Sequence, residues 1–159
     1  MSTHELPSGW KECSGDPENR VWRRFSKAFE FLPSTRDFPG IKERSPGRTY
    51  QLPRYDSMDE AAVWRAFTKV FRRLHRRGQT VYALDWQHTC YTVDFSAVDA
   101  GCCVSPMPNG DYHIFLEEEF RYGWFGHPWE WTVHVWGRPL LAALRAHPMP
   151  QLGTILRSS

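Results

Sequence analysis

The sequence predicts an α+β fold: a mostly antiparallel sheet of about five strands, packed by two long helices and a short C-terminal helix. Three observations carry that prediction. Helical periodicity dominates the first half of the chain, strict alternation dominates the second, and the alternating stretches are joined by short turns that favour antiparallel pairing. With 159 residues and a hydrophobic fraction of 41%, the chain can bury a continuous core without disulfide or metal staples.

Residues 1–15 are rich in Ser, Gly, Pro and charge and are expected to form a flexible lead-in, with residues 16–159 as one domain. Asp16-Pro17-Glu18 supplies an N-cap, a first-turn proline and an early acid, which together announce a helix. Trp22, Phe25, Phe29 and Leu32 give it one apolar stripe, and Pro33 stops it. Phe38-Pro39-Gly40-Ile41 and Ser45-Pro46-Gly47-Arg48 break the next segment into turns. Thr49-Tyr50-Gln51-Leu52, flanked by prolines, reads as a short strand on a sheet edge. Ser57-Met58-Asp59-Glu60 has the form of a capping box. It opens a helix with Val63, Phe67, Val70, Phe71 and Leu74 on one face, ending at Gly78.

After Gly78 the period changes from helical to alternating. Tyr82, Leu84 and Trp86 face one side of a strand while Val81, Ala83 and Asp85 face the other, and Tyr91, Val93 and Phe95 continue the pattern after a tip at Gln87-His88-Thr89. The Asn109-Gly110 step is a turn favoured in tight hairpins, and Tyr112 to Leu116 reads as a strand from which Glu117-Glu118-Glu119 leave as a solvated end. Phe120 to Pro128 reads as an aromatic, glycine-containing loop. Trp131 to Trp136 resumes the alternation, Pro139 opens a helix through Ala146, and Thr154-Ile155-Leu156 is a candidate for a last strand.

Composition excludes some functions. A net charge of +2 gives a weak overall field, so nucleic acid is not expected as a partner. The run Arg65, Lys69, Arg72, Arg73, Arg76 and Arg77 reads as a solvated basic helix face. No apolar run reaches the roughly 20 residues of a membrane span and the N-terminus lacks signal-peptide order, so membrane association is not expected and a cytoplasmic location is. Cys13, Cys90, Cys102 and Cys103 form no C-x-x-C pair and are expected as reduced thiols.

Chemistry concentrates in two polar-aromatic runs, Ala83-Leu84-Asp85-Trp86-Gln87-His88 and Gly126-His127-Pro128-Trp129-Glu130. A general acid/base site needs a group that exchanges a proton near neutrality beside one that fixes its orientation. Asp85, His88, His127 and Glu130 meet that need and are the expected catalytic groups, His88 pairing with Asp85 or Asp94. Trp86, Gln87, Tyr91 and Trp129 would form the substrate-binding walls. His88, Cys90, His113, His127, Glu130 and His134 are all usable metal ligands, but none shows a diagnostic spacing, so neither a metal nor another cofactor is expected. His113 and His134 read as hydrogen-bonded sheet histidines.

These residues resemble the bacterial family known as domain of unknown function 2716, common in actinomycetes. The similarity rests on Trp22, Phe25 and Phe29, on Pro39-Gly40-Ile41, on Thr49-Tyr50, and on Ala83 to His88 with Tyr91. It continues through Gly110-Asp111-Tyr112 with Ile114-Phe115 and Gly126 to Glu130 with Thr132 and Gly137. Trp131 and His134 depart from it, being bulkier than expected there. The resemblance implies one domain of about this size and no particular reaction. Two functions follow from the residues: a metal-independent enzyme or binder for a small molecule, or a non-catalytic protein-binding module such as an immunity-like protein or accessory subunit.

Overall fold

A computed structural model describes residues 5–54 and 58–159. Its elements, in order, are β1 (Trp10–Cys13), α1 (Asp16–Phe29), β2 (Gly47–Gln51), α2 (Glu60–Leu74), β3 (Val81–Asp85) and β4 (Cys90–Val93). They continue as β5 (His113–Glu117), β6 (Gly123–His127), β7 (Thr132–Trp136), α3 (Arg138–Ala146) and β8 (Ile155–Ser158). The strands form one eight-stranded antiparallel sheet in the order β1-β4-β3-β5-β6-β7-β2-β8. The class is α+β as expected, but the sheet is larger than the five strands read from the sequence.

The added strands have identifiable causes. The segment expected as a flexible lead-in supplies β1, whose Trp10 and Cys13 are buried against the sheet while Lys11 and Glu12 face solvent. The segment read as an aromatic loop is β6, buried along its whole length. Its Gly123 carries no side chain because a Cβ there would stand 2.3 Å from the Trp136 ring. Glu117, expected in solvent, is fully buried, and Arg121 together with the amides of Glu119 and Arg121 satisfies its carboxylate. Thr49 to Gln51 does not lie at an edge: β2 sits between β7 and β8, and β8 takes the edge.

Helix boundaries follow local chemistry. α1 ends at Phe29 because Glu30 turns left-handed (φ 51°), which leaves Leu32 off the stripe and 72% exposed. α2 is capped by Asp59, whose carboxylate accepts from the amides of Ala61 and Ala62; Ser57 of the expected capping box lies outside the described residues. It stops at Leu74, before the expected Gly78. Arg72 leaves the basic face and donates to the carbonyls of Phe95 and Val98.

Because side chains alternate across a strand, the sheet has two distinct faces. On one, α2 and α3 pack on Val81, Ala83, Val93, Phe115, Trp124, Val133 and Val135. On the other, Val21, Phe25 and Phe29 of α1 pack on Leu84, Cys90, Ile114, Leu116, Phe125 and Trp136. Strand ends at Asp85, His113, His127 and Thr132 lie at one end of the sheet through the registers Asp85 with His113, His113 with Gly126, and His127 with Thr132.

Candidate functional site

Both polar-aromatic runs arrive at that end of the sheet. Asp85 closes β3, Trp86 to Thr89 turn the chain into β4 with Gln87 left-handed at the tip (φ 66°), and the His88 amide donates to the Asp85 carbonyl. The Cys90 thiol contacts the carbonyls of Asp85 and His88 from below. Burial pushes that thiol up to about 12, so it holds the turn rather than acting as a nucleophile.

His88 is the most available titratable group of the cluster, with its side chain 60% exposed. Its Nδ1 lies 3.0 Å from Asp85 Oδ1, 3.0 Å from the Trp86 carbonyl and 3.4 Å from Asp111 Oδ2. Three acceptors around one nitrogen place the hydrogen on Nδ1 and leave Nε2 as the outward nitrogen. Asp94, the alternative partner, instead contacts His75 at 2.9 Å. The hydrogen bond to Asp85 raises the His88 pKa, and burial raises that of Asp85 despite the neighbouring His113 and His88. The pair therefore holds its protons to higher pH than either group would in water.

Two residues that sequence reasoning left out of the site complete this cluster. Asp111 follows the Asn109-Gly110 turn and was legible only as turn chemistry. His113 lies across the sheet from Asp85, its Nε2 3.6 Å from Asp85 Oδ2. Its Nδ1 donates to the carbonyls of Ser105 and Met107, as expected of a sheet histidine. Asp85, His88 and Asp111 also offer three ligand atoms within 4.8 Å of one another, the set that a divalent cation would use.

The second run is built differently. His127 is fully buried, and its Nδ1 accepts from the amides of Trp129 and Glu130 while its carbonyl accepts from Trp131. The Gly-His-Pro-Trp-Glu spacing is thus the recipe for a turn. With Nδ1 an acceptor, the proton sits on Nε2, which is buried without a hydrogen-bond partner among the described residues. The imidazole lies among the rings of Phe38 (4.8 Å), Tyr112 (4.9 Å) and Trp129 (6.3 Å). Burial lowers its pKa to about 4.

Glu130 is also engaged. Arg157 donates to both its oxygens at 2.8 and 2.9 Å, Thr132 donates at 2.7 Å, and the same guanidinium binds Glu43. Burial pushes Glu130 and Glu43 up, but the hydrogen bonds from Arg157 and from Thr132 or Thr49, together with the nearby positive charge, outweigh it and hold both below the usual carboxylate range. The arrangement continues to Thr49, whose hydroxyl donates to Glu43 and accepts from His134 Nδ1; His134 Nε2 accepts from the Arg44 amide.

The four expected catalytic groups consequently form two clusters. Asp85 shares the α2 face with Ala83 and His113, whereas His127 shares the α1 face with Phe125. What joins the runs is Tyr112, whose ring touches Trp86 (5.6 Å), His127 (4.9 Å) and Trp129 (5.4 Å). Trp129, 44% exposed, also lines an open cleft of about 590 Å3 with Trp131, Arg54, Asn109 and Gly110. Of the other expected wall residues, Gln87 projects from the tip, and Tyr91 lies on the α2 face against Trp10 (5.7 Å), away from the Tyr112 rings.

One pH effect follows from His127 and His134, both lowered to about 4 by burial from an ordinary 6.5. Their folded-state pKa lies below the unfolded value, so their contribution is full above pH 6.5. It is lost as pH falls toward 4, because only the unfolded chain takes up those protons. His127→Asn keeps an acceptor for the two turn amides and is expected to flatten the loss of stability between pH 6.5 and 4. Urea midpoints at half-unit pH intervals measure this, and a slope equal to wild type would remove His127 as a cause.

An eight-stranded antiparallel sheet with helices on both faces and a polar-aromatic cluster at its strand ends defines an α+β protein. Residues 12–141 match the model of a family described as a protein of unknown function, DUF2716, and the chain belongs to that family. It is 29% identical over 155 residues to the uncharacterised protein YxiI of Bacillus subtilis (strain 168), covering 87% of this chain and 94% of that one. No solved structure matches. Among the described residues, no helix is long and apolar enough to cross a membrane.

Proposed function

We propose that the chain binds a small organic molecule at the strand ends without a metal, and that His88 is its proton-transfer group. The observation that carries this is the trio of acceptors on His88 Nδ1, which fixes the tautomer and turns Nε2 outward, as a general acid/base requires. Asp85 and Asp111 orient the imidazole, and Trp129 and Trp131 supply apolar walls in the cleft that Asn109 and Gly110, just before Asp111 in the chain, also line. His127 shapes the turn that presents Trp129, and Glu130 anchors that turn through Arg157. Proton transfer through His88 then makes the protein an enzyme; binding alone makes it a carrier.

Histidine-detected NMR between pH 5 and 9 tests this. His88 is expected to show the Nδ1–H tautomer and a pKa above that of a free imidazole, with Asp85→Asn lowering it. A metabolite mixture should shift the His88 and Trp129 signals together. If the mixture moves neither, or if His88 shows the other tautomer, the proposal fails. Added Zn2+ or Mn2+ that binds through Asp85, His88 and Asp111 would replace it with a metal-dependent one.

A second function, the non-catalytic protein-binding module, is favoured by a different observation. Leu32 (72% exposed) and Phe38 (44% exposed) flank an open cleft of about 840 Å3 on the α1 face. Aspartate at both positions would abolish partner binding while leaving the His88 signals unchanged.

A further inference from the structure

A cleft of about 450 Å3 lies between α3 and the β2–β8 edge, and none of the residues expected as catalytic groups lines it. Its size suits a small ligand. Three arginines line it. Arg138 and Arg145 stand seven residues apart on α3, with Leu141 and Ala142 between them on the same helix face. Arg48 comes from β2, where its register with Val135 turns its side chain to the face that α3 covers, and Ser158 of β8 is its cross-strand neighbour. The Gly47 backbone at the floor exchanges hydrogen bonds with Ser159.

What distinguishes these three cations is that they meet at one cleft without a partner. Four other arginines are committed, Arg24 to the Glu118 carbonyl, Arg72 to Phe95 and Val98, Arg121 to Glu117, and Arg157 to Glu43 and Glu130, while solvated ones such as Arg65 and Arg77 line no cleft with them. Arg48, Arg138 and Arg145 make no ion pair or side-chain hydrogen bond with any described residue, and no Asp or Glu side chain lines the cleft. Their summed charge exceeds the +2 of the whole chain. α3 adds to the positive potential, since its first turn holds no acidic residue and has no side-chain cap.

Three unpaired guanidinium groups beside the apolar Leu141 and Ala142 make a cation-rich lining with no carboxylate side chain to neutralise it. Their planar forks match tetrahedral phosphate oxygens, each group offering paired donors. We infer that this cleft binds a small phosphorylated metabolite, with Arg48, Arg138 and Arg145 holding the phosphate and Leu141 and Ala142 meeting the organic part.

The test is isothermal titration of the full chain at low salt with pyrophosphate and ribose 5-phosphate, and with citrate at matched ionic strength. Saturable phosphate binding is expected, weakened about tenfold by each of Arg48→Gln, Arg138→Gln and Arg145→Gln, since a hydrogen bond to a charged group is lost each time. Arg65→Gln on α2 should leave the affinity unchanged, as should His88→Gln, so this outcome is independent of the strand-end site. Absence of saturable binding at 10 mM phosphate compound (roughly the weakest affinity worth titrating), or equal affinity in all three cleft variants, would overturn the proposal. Citrate binding as tightly as pyrophosphate would overturn phosphate as the ligand class.

Discussion

Phe67→Ala is expected to lower stability by about 3–5 kcal/mol, the cost of emptying a large buried site that cannot collapse. Phe67 has no exposed surface, and its ring lies 4.3 Å from Phe71, 4.7 Å from Phe115 and 4.9 Å from Trp124. It joins α2 to two central strands through one ring, so truncation removes contacts on three sides. For a chain of this size the loss should lower the melting temperature by about 6–20 °C. Urea unfolding should show a lower midpoint with an unchanged slope. Phe67→Leu, which keeps most of the volume, should recover a large part of the difference. A shift below about 1 kcal/mol in the alanine variant would mean that the α2 core is not the main source of stability.

Arg157→Ala is expected to cost about 2–4 kcal/mol at pH 7.5, because it leaves two mostly buried carboxylates facing one another. Its side chain is 34% exposed, against 13% for Glu43 and 10% for Glu130, so solvent screening puts the effect below that of a fully buried pair. The sign with pH separates this from lost packing. In the wild type both carboxylates have folded pKa values below their unfolded ones. Their contribution is therefore full above the unfolded pKa near 4.5 and lost as pH falls through the folded values. Without Arg157 burial is opposed mainly by the Thr49 and Thr132 hydroxyls, the folded pKa values of both carboxylates rise, and the stability they contribute at neutral pH falls. The gap between variant and wild type should narrow steadily from pH 7.5 to 4.5 in paired urea titrations. A gap independent of pH would assign the loss to packing alone.

How far the sequence disclosed this molecule depended on whether a residue's partner was local. The stripe Val63-Phe67-Val70-Phe71 and the hairpin tip at Gln87 are local events, and they are where periodicity and turn chemistry put them, whereas the cap of α2 falls to Asp59, two residues beyond the Ser57 that the sequence suggested. β6 was hidden because Gly123 and Gly126 look like loop residues, yet Gly123 is small to admit Trp136 from the neighbouring strand. Leu32 continued the stripe of α1 in one dimension, but the left-handed Glu30 ended the helix first. The candidate site divided along the same line. Asp85 and His88 meet within one turn, as their spacing suggested, whereas Asp111 and His113, just before and at the start of β5, reach them only through the sheet pairing, and their chain positions gave no sign of that meeting. Nothing near Glu130 in sequence announced Arg157, which comes from β8.

The place of β2 has a consequence for biosynthesis. Thr49 meets His134 across 85 positions of chain, and the strand on its other side is β8. β2 leaves the ribosome long before either neighbour, so this part of the sheet assembles only after β7 and β8 have been made. Closing loops of that span is slow compared with local pairing. Meanwhile Arg48, Thr49 and Tyr50 expose open backbone edges to chaperones and to other nascent chains. A ribosome-stalled chain ending before β7 is therefore expected to leave β2 unpaired, while one extended past Ser158 by an unrelated linker closes the sheet on both sides of it.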